Sequence, residues 1–464
     1  VRIDAVDFFY ASLPTVTTAV DGSQDALLVR VRSGDDIGWG ECEASPLVSI
    51  AAFITPPSHG ACQPVSASVL GRRLDKPEDI LAISADVAYR SMDVLQASHT
   101  YSGIEMALWD LLGKRRDVPV WSLLGYDRSH GRIPYASILF GDTPDETYDR
   151  AREIRSQGFV AAKFGWGPFG HGTPNDDAAH LFAARNGLGN DTALMVDAGQ
   201  VWRTDVDAVR ARWDALVDVD ATWLEEPFTG SAFDAYAAIS ASTNPSRGPR
   251  LAAGEASHNP HMARHLIDYG KVAYIQIDTG RVGGIHPAYE VAQHADHGGV
   301  TYVNHTFTSH LALSAALQPY AGLRRHRWCE YPVALSPGAP PRPPRTRRRR
   351  PRLGAREARP RRHCRPRCAG AVPTRHTDHH RRTSGMGQRP MKIDEAFAAL
   401  LDRVSSRSRH SPGPMFALVT SAGPWSPLAH RGPARTRRDN APTEQKPGGS
   451  CSGWSPGNSA VQRG

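Results

Sequence analysis

The sequence predicts an α/β fold, a (β/α)8-type barrel set behind a smaller α+β unit. Three observations predict it. Between about residues 130 and 335, eight short apolar runs alternate with helix-length segments, which is the spacing of repeated strand-then-helix units. Several of those runs end in a charged side chain. The chain before them follows another pattern, a strand hairpin and then helices.

The start, Val1–Asp7, alternates as a strand does. Ala26–Val31 reads as a strand, Ser33–Asp36 as a turn, and Ile37–Cys42 as the returning strand. Residues 46–65 hold five Pro or Gly and are expected to be a loop. Helical patterns follow at about 77–96 and at Gly103–Arg115, where apolar residues recur at three- and four-residue steps. The barrel strands are expected at Ile133–Phe140, Phe159–Phe164, Leu194–Asp197, Thr222–Glu225, Leu251–Gly254, Tyr274–Asp278, Thr301–Asn304 and Trp328–Glu330. Pro144–Gln157 and Val206–Leu216 are helices between them. A doubly wound sheet would carry a glycine-rich turn after its first strand, and Gly141-Asp142-Thr143-Pro144 is no such turn. The organisation expected is therefore 1–127, 128–337 and a tail, 338–464.

Charge separates the tail from the rest. The 464 residues carry a formal net charge of +8. Residues 341–390 hold 17 Arg, 8 Pro and two acids, a formal +15 that leaves −7 for the other 414. The basic balance is thus a property of one segment and no sign of a nucleic-acid-binding protein as a whole. A tail so poor in apolar residues cannot offset its ordering entropy and is expected to be mostly disordered, with a brief helical look at Ile393–Leu401. Its Arg342–Arg367 block could attract a polyanion, but it lacks interleaved aromatics, so no specific nucleic-acid partner is expected. His363, Cys364 and Cys368 are too close together for a zinc site.

No run of 18 apolar residues occurs, and no charged-then-apolar leader opens the chain. Six irregularly spaced cysteines make no disulfide framework. The expectation is a cytoplasmic chain without membrane contact, open to homo-oligomer formation.

Chemistry concentrates at the strand ends, which converge on one face of a barrel. The third, fourth and fifth strands end in Asp197, Glu225 and Glu255. Three acids in register repel one another unless a cation sits between them. Oxygen-only ligation favours Mg²⁺ over Zn²⁺. A single strand-end acid could instead cap the next helix. Lys163 ends the second strand, Asp278 the sixth, His305 follows the seventh and Glu330 lies on the eighth. An Asp beside a His fixes its tautomer and raises its basicity, which singles out His305 among 20 histidines.

These residues resemble the mandelate racemase branch of the enolase superfamily, over residues 1 to about 335. The resemblance is carried by Tyr101–Asp110, Val196-Asp197-Ala198, Leu224-Glu225-Glu226-Pro227, Gly254-Glu255 and Asp278–Gly284. It implies a modified (β/α)7β TIM-like barrel with an N-terminal α+β capping domain. It implies that Asp197, Glu225 and Glu255 hold one Mg²⁺, that Asp278 and His305 form the acid–base dyad, and that Glu330 hydrogen-bonds a substrate carboxylate. Many such proteins dehydrate sugar acids, so a small carboxylate substrate and dehydration to a 2-keto-3-deoxy acid are expected. Racemisation, epimerisation and cycloisomerisation are the alternatives on the same scaffold.

Two departures stand out. The family often has Lys-x-Lys at the end of the second strand. Here Lys163 matches the first lysine, whose usual part is to neutralise carboxylate charge beside the metal, and Gly165 takes the place of the second. That disfavours two-base racemisation and leaves His305 as the single proton-transfer group. The second departure is the sharp switch to Arg/Pro-rich sequence after Pro337, which out-of-frame translation would produce and which could leave the protein inactive. The cap segments 12–25 and 46–60 are expected to shape the pocket, and their Thr15, Thr17, Thr18, Ser23 and His59 read mainly as surface polarity.

Overall fold

A computed structural model describes residues 1–12, 25–42, 46–95, 98–243, 247–332, 416–420 and 426–427. Its first sheet is antiparallel. Strands β1 (Ala5–Ser12), β2 (Asp25–Ser33) and β3 (Asp36–Cys42) lie side by side. The hairpin between β2 and β3 turns at Gly34, whose φ of 62° suits glycine. Alternation along β2 sends Leu27, Val29 and Val31 inward.

That inner face packs on the helix His99–Arg116, which is buried from Thr100 through Trp109. The approach is close because glycines meet: a Cβ on Gly40 would lie 2.0 Å from the Gly103 carbonyl oxygen. Helix Pro77–Arg90 covers another side. One expectation is overturned here. Residues 46–65 are not all loop, because Pro46–Ile54 is a helix. Its proline stands at the first position, where a missing N–H costs nothing, and the remaining Pro and Gly fall after it. Ile50 and Phe53 point inward, and Phe53 meets Phe8 edge-on at 5.1 Å.

The barrel follows. Its strands are β4 (Ile133–Leu139), β5 (Ala161–Gly165), β6 (Ala193–Asp197), β7 (Ala221–Glu225), β8 (Arg250–Ala253), β9 (Tyr274–Asp278), β10 (Thr301–His305) and β11 (Trp328–Pro332). Each expected strand is present, with ends moved by two residues at most. All pair in parallel, in the order β11-β4-β5-β6-β7-β8-β9-β10. A main crossover helix follows each of β4 to β10, and the described residues add no helix after β11, which is the (β/α)7β pattern. Tyr135, Met195, Trp223 and Val303 fill the lumen with small Ala161 and Ala252 between them. The lumen is thus a packed floor and not a pore.

Between β10 and β11 the described strands do not pair as a ladder. A side chain bridges the seam. Asn304 Oδ1 accepts from the Glu330 backbone N–H at 3.1 Å, and Asn304 Nδ2 donates to the Glu330 carbonyl at 3.4 Å. Tyr320 Oη donates to Asn304 Oδ1 at 2.9 Å.

From the tail, β12 (Phe416–Thr420) pairs antiparallel with β1, and β13 (Ser426–Pro427) pairs with β12. These strands extend the first sheet to five. The brief helical pattern at Ile393–Leu401 and the arginine block lie outside the described residues. No helix among the described residues is long and apolar enough to cross a membrane.

Candidate active site

Barrel register brings the strand-end groups to one mouth. Gly165 pairs with Asp197, Asp197 with Glu225, and Asp278 with His305. Lys163 lies two residues below Gly165 and reaches upward. Its Nζ stands 2.6 Å from Glu225 Oε1, 2.7 Å from Glu330 Oε1 and 3.2 Å from Asp197 Oδ2. Opposite it, His305 Nδ1 is 2.8 Å from Asp278 Oδ2, and His305 Nε2 is 2.8 Å from Glu255 Oε2. Arg281 Nη1 is 3.7 Å from the other oxygen of Glu255. All seven residues expected from the sequence, Lys163, Asp197, Glu225, Glu255, Asp278, His305 and Glu330, are buried in this one cluster.

Backbone and aromatic donors hold the acids in place. Trp223 Nε1 donates to Glu225 Oε2 at 3.0 Å. The Gly199 N–H donates to Asp197 Oδ1 at 2.9 Å, and the Gly280 N–H to Asp278 Oδ1 at 2.7 Å. The Thr306 N–H donates to Glu330 Oε2 at 3.1 Å.

Electrostatics set the groups apart. Burial pushes Glu225 well above the usual carboxylate range and raises Asp197, against the pull of Lys163. Burial would also lift Glu255, but His305 and Arg281 overcome it and hold Glu255 well below that range. For Lys163, burial favours the neutral amine, yet Glu225, Glu330 and Asp197 keep it firmly charged. Burial likewise works against a charged His305, and Glu255, Glu330 and the bond to Asp278 raise it well above its ordinary value.

Sequence reading missed one acid here. Glu226 sits next to Glu225 with a left-handed φ of 37°, a strain tolerated where the surroundings fix it. Its Oε1 accepts from the N–H of Gly254 at 3.2 Å and of Ala256 at 3.3 Å, so it braces both sides of Glu255. Gln200 Nε2 donates to its other oxygen. Burial lifts its pKa to about 8, with Glu255 adding to the effect. The adjacent pair Glu225-Glu226 before Pro227 was the available signal. Arg281 and Asn304 were missed as well, because neither role follows from sequence spacing.

The donor set has the chemistry of a hard-cation site. Asp197, Glu225 and Glu255 offer oxygen alone from consecutive strand ends. Six acids at the mouth, these three with Glu226, Asp278 and Glu330, face Lys163, His305 and Arg281, an excess of buried negative charge that a divalent cation would offset. As placed here the three carboxylates are divided between Lys163 and His305. Among the described residues no group of three His, Cys, Asp or Glu side chains is drawn around a single point as a metal centre.

The second-lysine position is closed. A Cβ on Gly165 would lie 2.7 Å from Asp197 Cβ, so a side chain there requires Asp197 to move. His59 lies on the cap surface, 59% exposed and 2.8 Å from Asp93, as expected of a solvent-facing loop side chain. Thr15, Thr17, Thr18 and Ser23 lie outside the described residues.

Comparison with known proteins agrees with this fold. Residues 10–125 match the family model for the mandelate racemase / muconate lactonizing enzyme N-terminal domain, and residues 146–348 match the enolase C-terminal domain-like model. The chain is similar to D-galactarolactone cycloisomerase of Agrobacterium fabrum, 30% identical over 303 residues that cover 64% of this chain and 75% of that one. It is similar to L-talarate/galactarate dehydratase of Salmonella typhimurium, 28% identical over 261 residues, 55% of this chain and 63% of that one. A crystal structure described as a predicted mandelate racemase from Rhodobacter sphaeroides shares 61% identity and a TM-score of 0.68, covering 72% of this chain and 84% of that one.

Proposed function

The chain belongs to the mandelate racemase / muconate lactonizing enzyme branch of the enolase superfamily, and we propose that it dehydrates a polyhydroxy acid to a 2-keto-3-deoxy acid. The chemistry common to that superfamily is removal of a proton next to a carboxylate. The finer reading rests on one observation. The mouth offers a single dyad, Asp278–His305, while Lys163 is held by three carboxylates and Gly165 leaves no room for a second lysine.

Asp197, Glu225 and Glu255 would hold a divalent cation, Mg²⁺ by their oxygen-only chemistry. When bound, that ion supplies charge stabilisation to an enediolate. The protein's own groups do the rest. Glu330, carrying its proton, would donate a hydrogen bond to the substrate carboxylate. Lys163, kept cationic, stands where negative charge develops. For His305 to take the α-proton through Nε2, Glu255 must first leave that nitrogen and the ring must be neutral, with Asp278 orienting it through Nδ1. The protonated imidazole then gives that proton to the departing β-hydroxyl, which leaves as water. The enol that remains tautomerises to the 2-keto acid. One group on one face suffices for both transfers, whereas racemisation needs a base on each face.

Cycloisomerisation is the second reading, favoured by the similarity to a galactarolactone cycloisomerase. It begins with the same proton removal. Purified protein incubated with Mg²⁺ and a panel of aldonic acids, aldaric acids and their lactones separates the readings. Dehydration yields 2-keto acid from an open-chain acid, and His305→Asn abolishes it. Cycloisomerisation consumes a lactone without releasing water. Solvent deuterium entering an acid with no keto acid formed points to racemisation. Turnover that survives complete Mg²⁺ removal refutes the mechanism.

A further inference from the structure

One buried acid of the cap has no part in this chemistry. Glu41 lies near the end of β3 and is 1% exposed. It reaches a residue 268 positions away, Ser309, whose Oγ donates to Glu41 Oε2. Ser309 in turn caps the helix His310–Ala316, accepting from the Leu311 N–H at 3.0 Å. Burial lifts Glu41 to a pKa of about 7, against the hydrogen bond from Ser309.

The segment it grips is the one that leaves His305. Residues Thr306 to Ser309 run from the base to the cap contact. Their near end is fastened inside the barrel: the Thr306 N–H bonds Glu330, and Asn304 Nδ2 donates to Thr306 Oγ1 at 3.2 Å. Between the two fastenings lies Phe307. Its ring centroid is 5.2 Å from that of His305 and 5.8 Å from Lys163 Nζ. Phe307 therefore touches both sides of the reaction centre, and its far end is held from the cap. β3 also leads toward the cap helix Pro46–Ile54, within the region expected to shape the pocket.

We propose that Glu41 is a positioning residue that clamps Thr306–Ser309 to the cap and so holds His305 and Phe307 in working register with Lys163. Glu41 touches no reacting atom and acts through Ser309. The clamp itself rests on these contacts, and its catalytic consequence rests on the acid–base role proposed for His305.

Three variants of the full-length protein test it. Glu41→Ala removes the acceptor, Glu41→Gln keeps a side-chain oxygen for Ser309, and Ser309→Ala removes the donor. With galactarate as the assayed acid, Glu41→Ala should lower kcat by about 10- to 100-fold, the range a small misplacement produces, with KM little changed. Glu41→Gln should restore most of the rate. Ser309→Ala should fall at least as far as Glu41→Ala, because it also removes the helix cap, and the double variant no further than Ser309→Ala, because both break one link. Two readouts need no turnover. Hydrogen exchange should rise in peptides spanning 305–316 and stay unchanged at 193–199 in Glu41→Ala. In protein carrying ¹³C-labelled histidine, the His305 ring resonance, assigned with His305→Asn, should shift in Glu41→Ala and return in Glu41→Gln. An unmoved resonance and unchanged exchange overturn the clamp whatever the activity. A moved resonance with an unaltered kcat overturns its catalytic consequence. A wild type that turns over no acid sinks the dehydratase reading while the resonance still judges the clamp.

Discussion

Carboxylates are buried both in the cap and at the barrel mouth, under different arrangements. In the cap helix, Glu105 is isolated from other acids. Its oxygens accept from Trp109 Nε1 at 2.7 Å, the Ile285 N–H at 2.6 Å and the His286 N–H at 3.0 Å. It closes the first turn of the barrel helix Ile285–His297 and ties the cap to the barrel. At the mouth, six acids share Lys163, His305 and Arg281, and some are pushed up while Glu255 is pulled down. Both regions bear the cost of desolvating charge. Fixed N–H dipoles meet it where the group is a strut. Cations meet it at the mouth, and divergence among neighbouring acids points to a functional site better than burial does.

Removing the central cation tests that contrast most severely. Lys163→Met leaves Glu225, Glu330 and Asp197 without their partner and should cost about 3–5 kcal/mol in urea denaturation, the usual penalty for breaking a buried pair. A loss below about 1 kcal/mol would show that these acids do not depend on Lys163.

The strut gives the next largest effect, through pH. Burial raises Glu105 from 4.5 to about 7. An acid raised on folding contributes stability that is fully present below pH 4.5 and is lost as pH rises through 7. The shift corresponds to about 3 kcal/mol. Thermal melts of wild type and Glu105→Gln across that window should show a shallower pH slope in the variant. Equal slopes would mean that the N–H donors already keep Glu105 ionised.

The smallest effect comes from an acid at the surface. Asp205 Oδ1 accepts from the N–H groups of Asp207 and Ala208, both at 3.0 Å, at the start of helix Val206–Asp218. Asp205→Ala should cost about 1 kcal/mol, a lost cap, with turnover intact. This is the ordinary capping role that any strand-end acid could have had. Asp197, Glu225 and Glu255 instead crowd around cations.

Much of the barrel could be read from the sequence because each strand is a short apolar run that stops at a charge, as Met195-Val196-Asp197 does. That these seven side chains gather was legible for the same reason: strand ends share a mouth whatever their distance along the chain. Helix Pro46–Ile54 was obscured by counting its flanking prolines with it. Glu41 and Glu105 could not be found, since their partners lie 268 and about 180 positions away and no period connects them. Asn304 was hidden for another reason. An amide inside an apolar strand reads as a flaw until its neighbour is known to lack a ladder.

That amide bears on how such a protein can change. Asn304 bridges β10 to β11 at Glu330, and the next two residues are His305 and Thr306. Structural closure and the proposed proton handling are therefore written in the same few codons. A mutation there that suited a new substrate would also unfasten the barrel wall. Directed evolution of this chain should therefore leave 304–306 and 330 untouched.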